Sequence, residues 1–329
     1  MRRKTLATVA GVALFATLPL WLPVLRPDDA RYWTDLLNNV GLYALLALSL
    51  NVVLGDAGMY NMGHAAFYAM GAYTAAILNT RFDVPILWAL PVAGVAAAVF
   101  AAVLARPVIH LRGDYMLIVT VGVGEILRIA LTNDVFGITG GPNGIFGIDR
   151  PSFFGLTIKK PHQFFYLIWG FAAVTLFLFH RLKHSRFGRA LDYLREDPVA
   201  AEGSGIHTDR YRLLAFVIGA AWAGMTGSLF AAKMTIISPE SFSFWESVVI
   251  FMIVILGGSG NMAGVLLGAF LIIGLPEVFR EFASARMLVF GLAMMAMMVF
   301  RTQGLLPPRP RRFPLDRLKP DRARPEAQT

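Results

Sequence analysis

Runs of about 20 mostly apolar residues recur along this chain, each closed by a charge, a proline or a glycine, and that length matches the hydrocarbon thickness of a bilayer. The stretch 247–276 contains no charged residue at all. Only 16% of the 329 residues are charged, whereas a water-soluble domain carries roughly a quarter. The mean hydropathy of +0.59 points the same way. The pattern predicts an all-α fold, a polytopic membrane bundle of about eight to ten helices, some of them short or discontinuous.

The predicted spans are residues 6–25, 38–54, 57–78, 85–105, 114–132, 163–180, 213–232, a region within 247–279, and 287–300. The first follows Arg2, Arg3 and Lys4, and Trp21, Leu22 and Pro23 stand where a small-x-small cleavage site would be, so it reads as an uncleaved anchor. As one straight helix, 247–276 would be about 45 Å long, too long for the hydrocarbon core. Gly257, Gly258, Ser259, Gly260 and Asn261 interrupt it, which predicts two short helices joined by a tight turn. Small residues at fourfold spacing (Gly260, Gly264, Gly268 and Ala220, Gly224, Ser228) suit close helix packing.

The formal charge of +9 does not read as a nucleic-acid signal, because the basic residues lie between and after the apolar runs. They concentrate at the N-terminus, in the loop 181–212 and from Arg301 onward, so all three regions, and with them both termini, are expected on the cytoplasmic side. The expected domain plan is a membrane domain over residues 1–306 and a basic, proline-rich, disordered tail over 307–329. The absence of cysteine excludes disulfides, thiol catalysis and thiolate metal sites. No phosphate-binding GxxxxGK[ST] loop occurs, and His180 and His184 at i,i+4 lack a third ligand. Neither a catalytic residue nor a metal or cofactor is expected.

Ionisable residues inside a span are costly and raise a functional hypothesis by default. Asp114, Glu125 and Arg128 share one helical face, Glu125 about 20° from Asp114 and Arg128 about 40° to the other side. Two readings stay open: a helix-terminal Asp114 with a packed Glu125–Arg128 pair, or a face lining a polar path. His64 has no acidic partner on its span except the edge residue Asp56, which suits an interhelical contact over a proton relay. The basic loop predicts a helix over 189–194, a stop before Pro198, and a second short helix to about Glu202 with Asp197 as N-cap and Gly203 or Gly205 as terminator. Two short amphipathic helices between spans make a surface for a partner.

That loop, with Gly188-Arg189-Ala190-Leu191, Arg195-Glu196-Asp197, Ala200-Ala201-Glu202 and Gly205-Ile206, resembles the coupling segment of permease subunits in ABC importers for branched-chain amino acids. Five further segments follow in the family's order. They are Gly63-His64-Ala65-Ala66-Phe67 with Gly71-Ala72-Tyr73-Thr74-Ala75, Leu111-Arg112-Gly113-Asp114-Tyr115 with Gly124-Glu125-Ile126-Leu127-Arg128, Thr139-Gly140-Gly141-Pro142-Asn143-Gly144, Ser238-Pro239-Glu240-Ser241-Phe242, and Arg301-Thr302-Gln303-Gly304-Leu305-Leu306. The set is most similar to the M-type subunit of such systems. One departure is Gly55-Asp56-Ala57-Gly58-Met59, since the family more often carries glutamine where Asp56 stands.

The resemblance implies a transport subunit of the bacterial inner membrane with no chemistry of its own. Its partners would be a second homologous permease, two ATP-binding subunits, an external substrate-binding protein and the lipid membrane. Arg189, Asp192, Arg195, Glu196, Asp197, Ala200, Ala201, Glu202, Gly205 and Ile206 would then form the ATPase-coupling segment. Gly63, His64, Tyr73, Asp114, Tyr115, Glu125, Arg128 and Asn133 would belong to the translocation path, and Gly140, Gly141, Pro142, Asn143 and Gly144 to the external loop. Other readings are a permease for urea or short amides and a self-contained ion-coupled transporter using Glu125, Arg128 or His64.

Overall fold

The computed structural model describes residues 29–278 except 112, 135, 136, 154 and 155, together with 17–19, 21, 291, 292, 295, 299, 301 and 304–307. The expected spans 6–25 and 287–300 fall mostly, and the tail 307–329 almost wholly, outside these residues. The helices are α1 (Ala30–Asn51, prolonged by a π-turn Val52–Asp56), α2 (His64–Phe82), α3 (Ile86–Val108) and α4 (Asp114–Thr132). They continue as α5 (Pro161–His184), α6 (Arg186–Glu196), α7 (Pro198–Gly203) and α8 (Thr208–Met234), then α9 (Phe244–Gly257), α10 (Met262–Ala269) and α11 (Leu275–Val278). A second π-turn (Phe270–Gly274) joins α10 to α11, Gly141–Asn143 and Pro239–Phe242 form 3-10 turns, and there are four two-residue strands among the described residues. They are β1 (Ile145–Phe146), β2 (Ser152–Phe153), β3 (Leu156–Thr157) and β4 (Ile236–Ile237), with β1 antiparallel to β4 and β2 to β3.

Among the described residues, six segments are long and apolar enough to cross a membrane: Ala30–Asp56, Ile86–Val108, Asp114–Thr132, Pro161–His184, Thr208–Met234 and Pro239–Gly257. The 19-residue α2 is less apolar and lies inside the bundle, packed on α3 and α8. Its polar residues His64, Tyr68, Tyr73 and Asn79 are buried against protein, whereas Thr80 and Arg81 in its last turn are exposed. It starts later than the expected 57–78, because the chain turns at Gly58 (φ +70°) and Asn61 Oδ1 accepts the Gly63 N–H at 2.9 Å just before the helix. Helices alternate in direction, so the loops 57–63, 109–113, 185–207 and 258–261 share one end of the bundle and 83–85, 133–160 and 235–243 the other.

Small residues set how closely the helices approach. On α3, Ala89, Ala93, Ala97, Ala101 and Ala105 recur every fourth residue, each 0% exposed, forming one ridge. The opposite side of α3 presents Trp88, Val92, Val95, Val99 and Val103, an apolar stripe suited to lipid. Where α2 crosses α8, a Cβ on Gly71 would lie 2.1 Å from the Gly224 carbonyl oxygen, so the two backbones touch. The chargeless stretch forms the expected broken pair. The helices α9 and α10 are packed together through Gly257 and Gly264, and Asn261 Oδ1 caps α10 by accepting the Ala263 N–H at 3.1 Å. Leu305 and Leu306 donate their N–H groups to Leu256 O (2.8 Å) and Gly257 O (3.1 Å), which places these two residues against this turn.

Candidate functional site

The segment between α5 and α8 folds locally for reasons written in its caps. Ser185 Oγ accepts the Gly188 N–H at the start of α6, and Asp197 Oδ1 accepts the N–H groups of Val199 (2.9 Å) and Ala200 (3.1 Å) at the start of α7. Pro198 occupies the first helical position, where a missing N–H is harmless. Burial then sorts the residues. Leu191, Leu194 and Ala201 turn toward the bundle, Asp192 and Ile206 are half-buried, and Arg189, Glu196, Asp197, Ala200, Glu202 and Gly205 are exposed. Tyr193 and Val199, 50% and 68% exposed, share that outer surface. The Arg195 guanidinium points back and donates to Gly55 O at the base of α1.

On α4, only Met116, Thr120 and Leu131 are buried, while Tyr115, Ile118, Ile126 and Ile129 stand exposed. Glu125 Oε2 accepts from Nε and Nη2 of Arg128, each at 2.8 Å, and the two side chains are 34% and 33% exposed. Asp114 opens the helix about 16 Å away and is not drawn into this pair. Asn133 caps the other end of α4 and is exposed. Gly63 backs onto the Thr120 carbonyl, and His64 is fully buried, its Nε2 2.7 Å from Ser49 Oγ of α1. His64 therefore sits as an interhelical contact. Tyr73 is buried inside the bundle, and its hydroxyl finds no hydrogen-bond partner among the described residues. A cavity of about 210 Å³ opens at the α6–α7 end, between Met59, Ile109, Met116, Pro198 and Arg212. The Arg212 Nε is buried there without a partner among the described residues.

At the opposite end, Gly141–Asn143 forms one 3-10 turn, followed by the β1–β4 pairing. Gly144 (φ +75°) lies so close to β4 that a Cβ would fall 1.8 Å from Ile237 O, which explains a glycine there. Pro142 and Asn143 are exposed. Asp134 accepts from the Thr139 N–H (2.7 Å) and hydroxyl (2.8 Å), and these bonds hold its carboxyl below the usual carboxylate range.

Several polar contacts escape sequence reasoning. Tyr43 donates to Glu246 Oε2 at 2.7 Å, Lys233 pairs with Asp35 at 2.9 Å, and Lys183 pairs with Asp56 at 2.7 Å. Each joins helices more than a hundred residues apart in sequence, where no local pattern can signal it.

The family described as "Branched-chain amino acid transport system / permease component" matches residues 32–300. The high-affinity branched-chain amino acid transport system permease protein LivM of Escherichia coli is 41% identical over 301 residues, covering 84% of this chain and 71% of the relative. LivH of the same organism is 30% identical over 258 residues (73% and 82%), and BraD of Pseudomonas aeruginosa 29% identical over 311 residues (85% and 97%). No solved structure matches. With six helices among the described residues long and apolar enough to cross a membrane and a family match across most of its length, the chain is a multi-pass membrane protein and belongs to the permease-component family of branched-chain amino acid transport systems.

Proposed function

We propose that this chain is one of two homologous permease subunits of an ATP-driven importer of branched-chain amino acids in the bacterial inner membrane, with both termini cytoplasmic. It has no catalytic site of its own. Two ATP-binding partners hydrolyse ATP, and an external binding protein delivers cargo near Pro142 and Asn143. The observation that carries this reading is the α6–α7 segment, two short capped helices whose inner residues pack on the bundle while Glu196, Asp197, Val199, Ala200 and Glu202 are exposed. ATP-driven closure of the partners moves these helices and switches the bundle between two discrete packings.

The second permease covers the outer face of α4. A charged pair facing lipid well inside a span would cost several kcal/mol, so the partly exposed Glu125–Arg128 pair supports a face wetted by the path or covered by protein. The cavity beside Arg212 is the inner mouth of that path in this reading.

The chain contains no cysteine, so a single introduced thiol is a unique probe. In intact membranes, Ala200→Cys with a short bifunctional reagent is expected to give an adduct with an ATP-binding subunit, and Ile118→Cys an adduct with a second permease-like chain. Thiol labelling at both positions without either adduct contradicts the assignment of these surfaces.

A further inference from the structure

The base of α1 joins three parts of the molecule that sequence keeps far apart. The Lys183 ammonium, on the last turn of α5, pairs with Asp56 Oδ1 at 2.7 Å and donates to Gly260 O in the α9–α10 turn. The Gly260 N–H donates to Asn51 Oδ1 of α1 at 2.8 Å. Gly55 leaves no slack between them, since a Cβ there would lie 2.2 Å from Asn51 Oδ1 and 2.4 Å from Gly260 N. Arg195, on the last turn of α6, donates to Gly55 O. The α5–α6 elbow is therefore held from both sides to one π-turn and one helical hairpin.

We propose that Asp56 and Lys183 are positioning residues for transport, a buried ionic link that carries displacement of the coupling helices into α1 and the α9–α10 hairpin together. The proposal rests on the reading that α6 and α7 receive the ATP-binding subunits. Three physical points carry it. The Asp56 and Lys183 side chains are only 9% and 23% exposed, and separating two opposite charges held in so little water is costly, so the two groups move as a unit. Backbone contact at Gly55 and Gly260 transmits a shift because close-packed interiors have little compressibility. The link also ends on a π-turn, whose extra residue per turn makes it a place where a helix end can change register.

A simple structural staple would lower stability and leave the ratio of transport to ATP hydrolysis unchanged. The test is therefore that ratio, measured as radiolabelled leucine uptake and ATP hydrolysis in proteoliposomes containing the full importer. Lys183→Met is expected to keep the ATP-binding subunits associated, to keep ATP hydrolysis within about twofold, and to import about tenfold less leucine per ATP. Lys183→Arg, which keeps the charge, is expected to restore most of the ratio. Should Lys183→Met fail to assemble, Asp56→Asn combined with Lys183→Met leaves neither charge unpaired and is expected to show the same loss. A wild-type ratio in the assembled variant, single or double, overturns the proposal, whether or not its melting temperature falls. Failure of the docking reading shows separately, as absence of the Ala200→Cys adduct in the otherwise wild-type complex.

Discussion

Gly71→Ala is expected to destabilise the folded bundle by roughly 3 kcal/mol, although it adds one methyl group to a helix. The added Cβ would stand 2.1 Å from Gly224 O and 2.3 Å from Gly224 Cα, and backbone cannot rotate away as a side chain can. The α2–α8 crossing would have to open, and α3 with it, because Gly224 also packs against Ala93 and Ala97. Gly122→Ala is the control: it is the same exchange in α4, where a Cβ meets nothing within 4 Å. There the higher helix propensity of alanine predicts a slight gain of about 0.5–1 kcal/mol. Thermal melting of the detergent-solubilised variants measures both. Equal melting temperatures would mean that α2 and α8 are not in backbone contact.

The second large effect is on transport alone. Glu196→Lys combined with Ala200→Trp is expected to reduce leucine uptake to background while the melting temperature stays within a degree or two of wild type. Both positions are exposed, so substitution there leaves the core intact and surface changes of this kind alter stability by about 0.5 kcal/mol or less. The same pair inverts a charge and adds bulk on the surface that a partner must meet, and like charges brought together at an interface cost several kcal/mol. Uptake assays in cells, with membrane levels of the variant checked, give the answer. Normal uptake at normal levels would remove α6 and α7 from the docking role.

How far the sequence reaches depends on the range of the interaction concerned. Span composition, the glycine break at 257–261 and the Asp197 cap are local properties, and the structure places each where periodicity and capping rules put it. The i,i+3 pairing of Glu125 with Arg128 is equally local. The start of α2 is misplaced by sequence reading because hydropathy continues through 57–63, whereas Gly58 and Asn61 turn the backbone there. Burial within the coupling segment was not legible either. Ala201 lies against the bundle beside exposed Ala200, and Arg195 reaches inward, since both depend on how α6 and α7 rest on their neighbours. The Asp56–Lys183 link spans 127 residues. Its one sequence signal was an acid where the family more often has glutamine. Likewise Glu246 stands immediately before the chargeless run and finds Tyr43 only through the packing of α9 on α1.

The most direct test of a permease subunit that works only within a larger assembly is affinity purification of a tagged copy from native membranes in mild detergent, with the associated chains identified by mass spectrometry. Recovery of a second permease-like chain together with ATP-binding subunits is the predicted result. Recovery of this chain alone, from a preparation in which a known membrane complex survives the same detergent, combined with gradient-driven leucine transport by the purified chain, would contradict it.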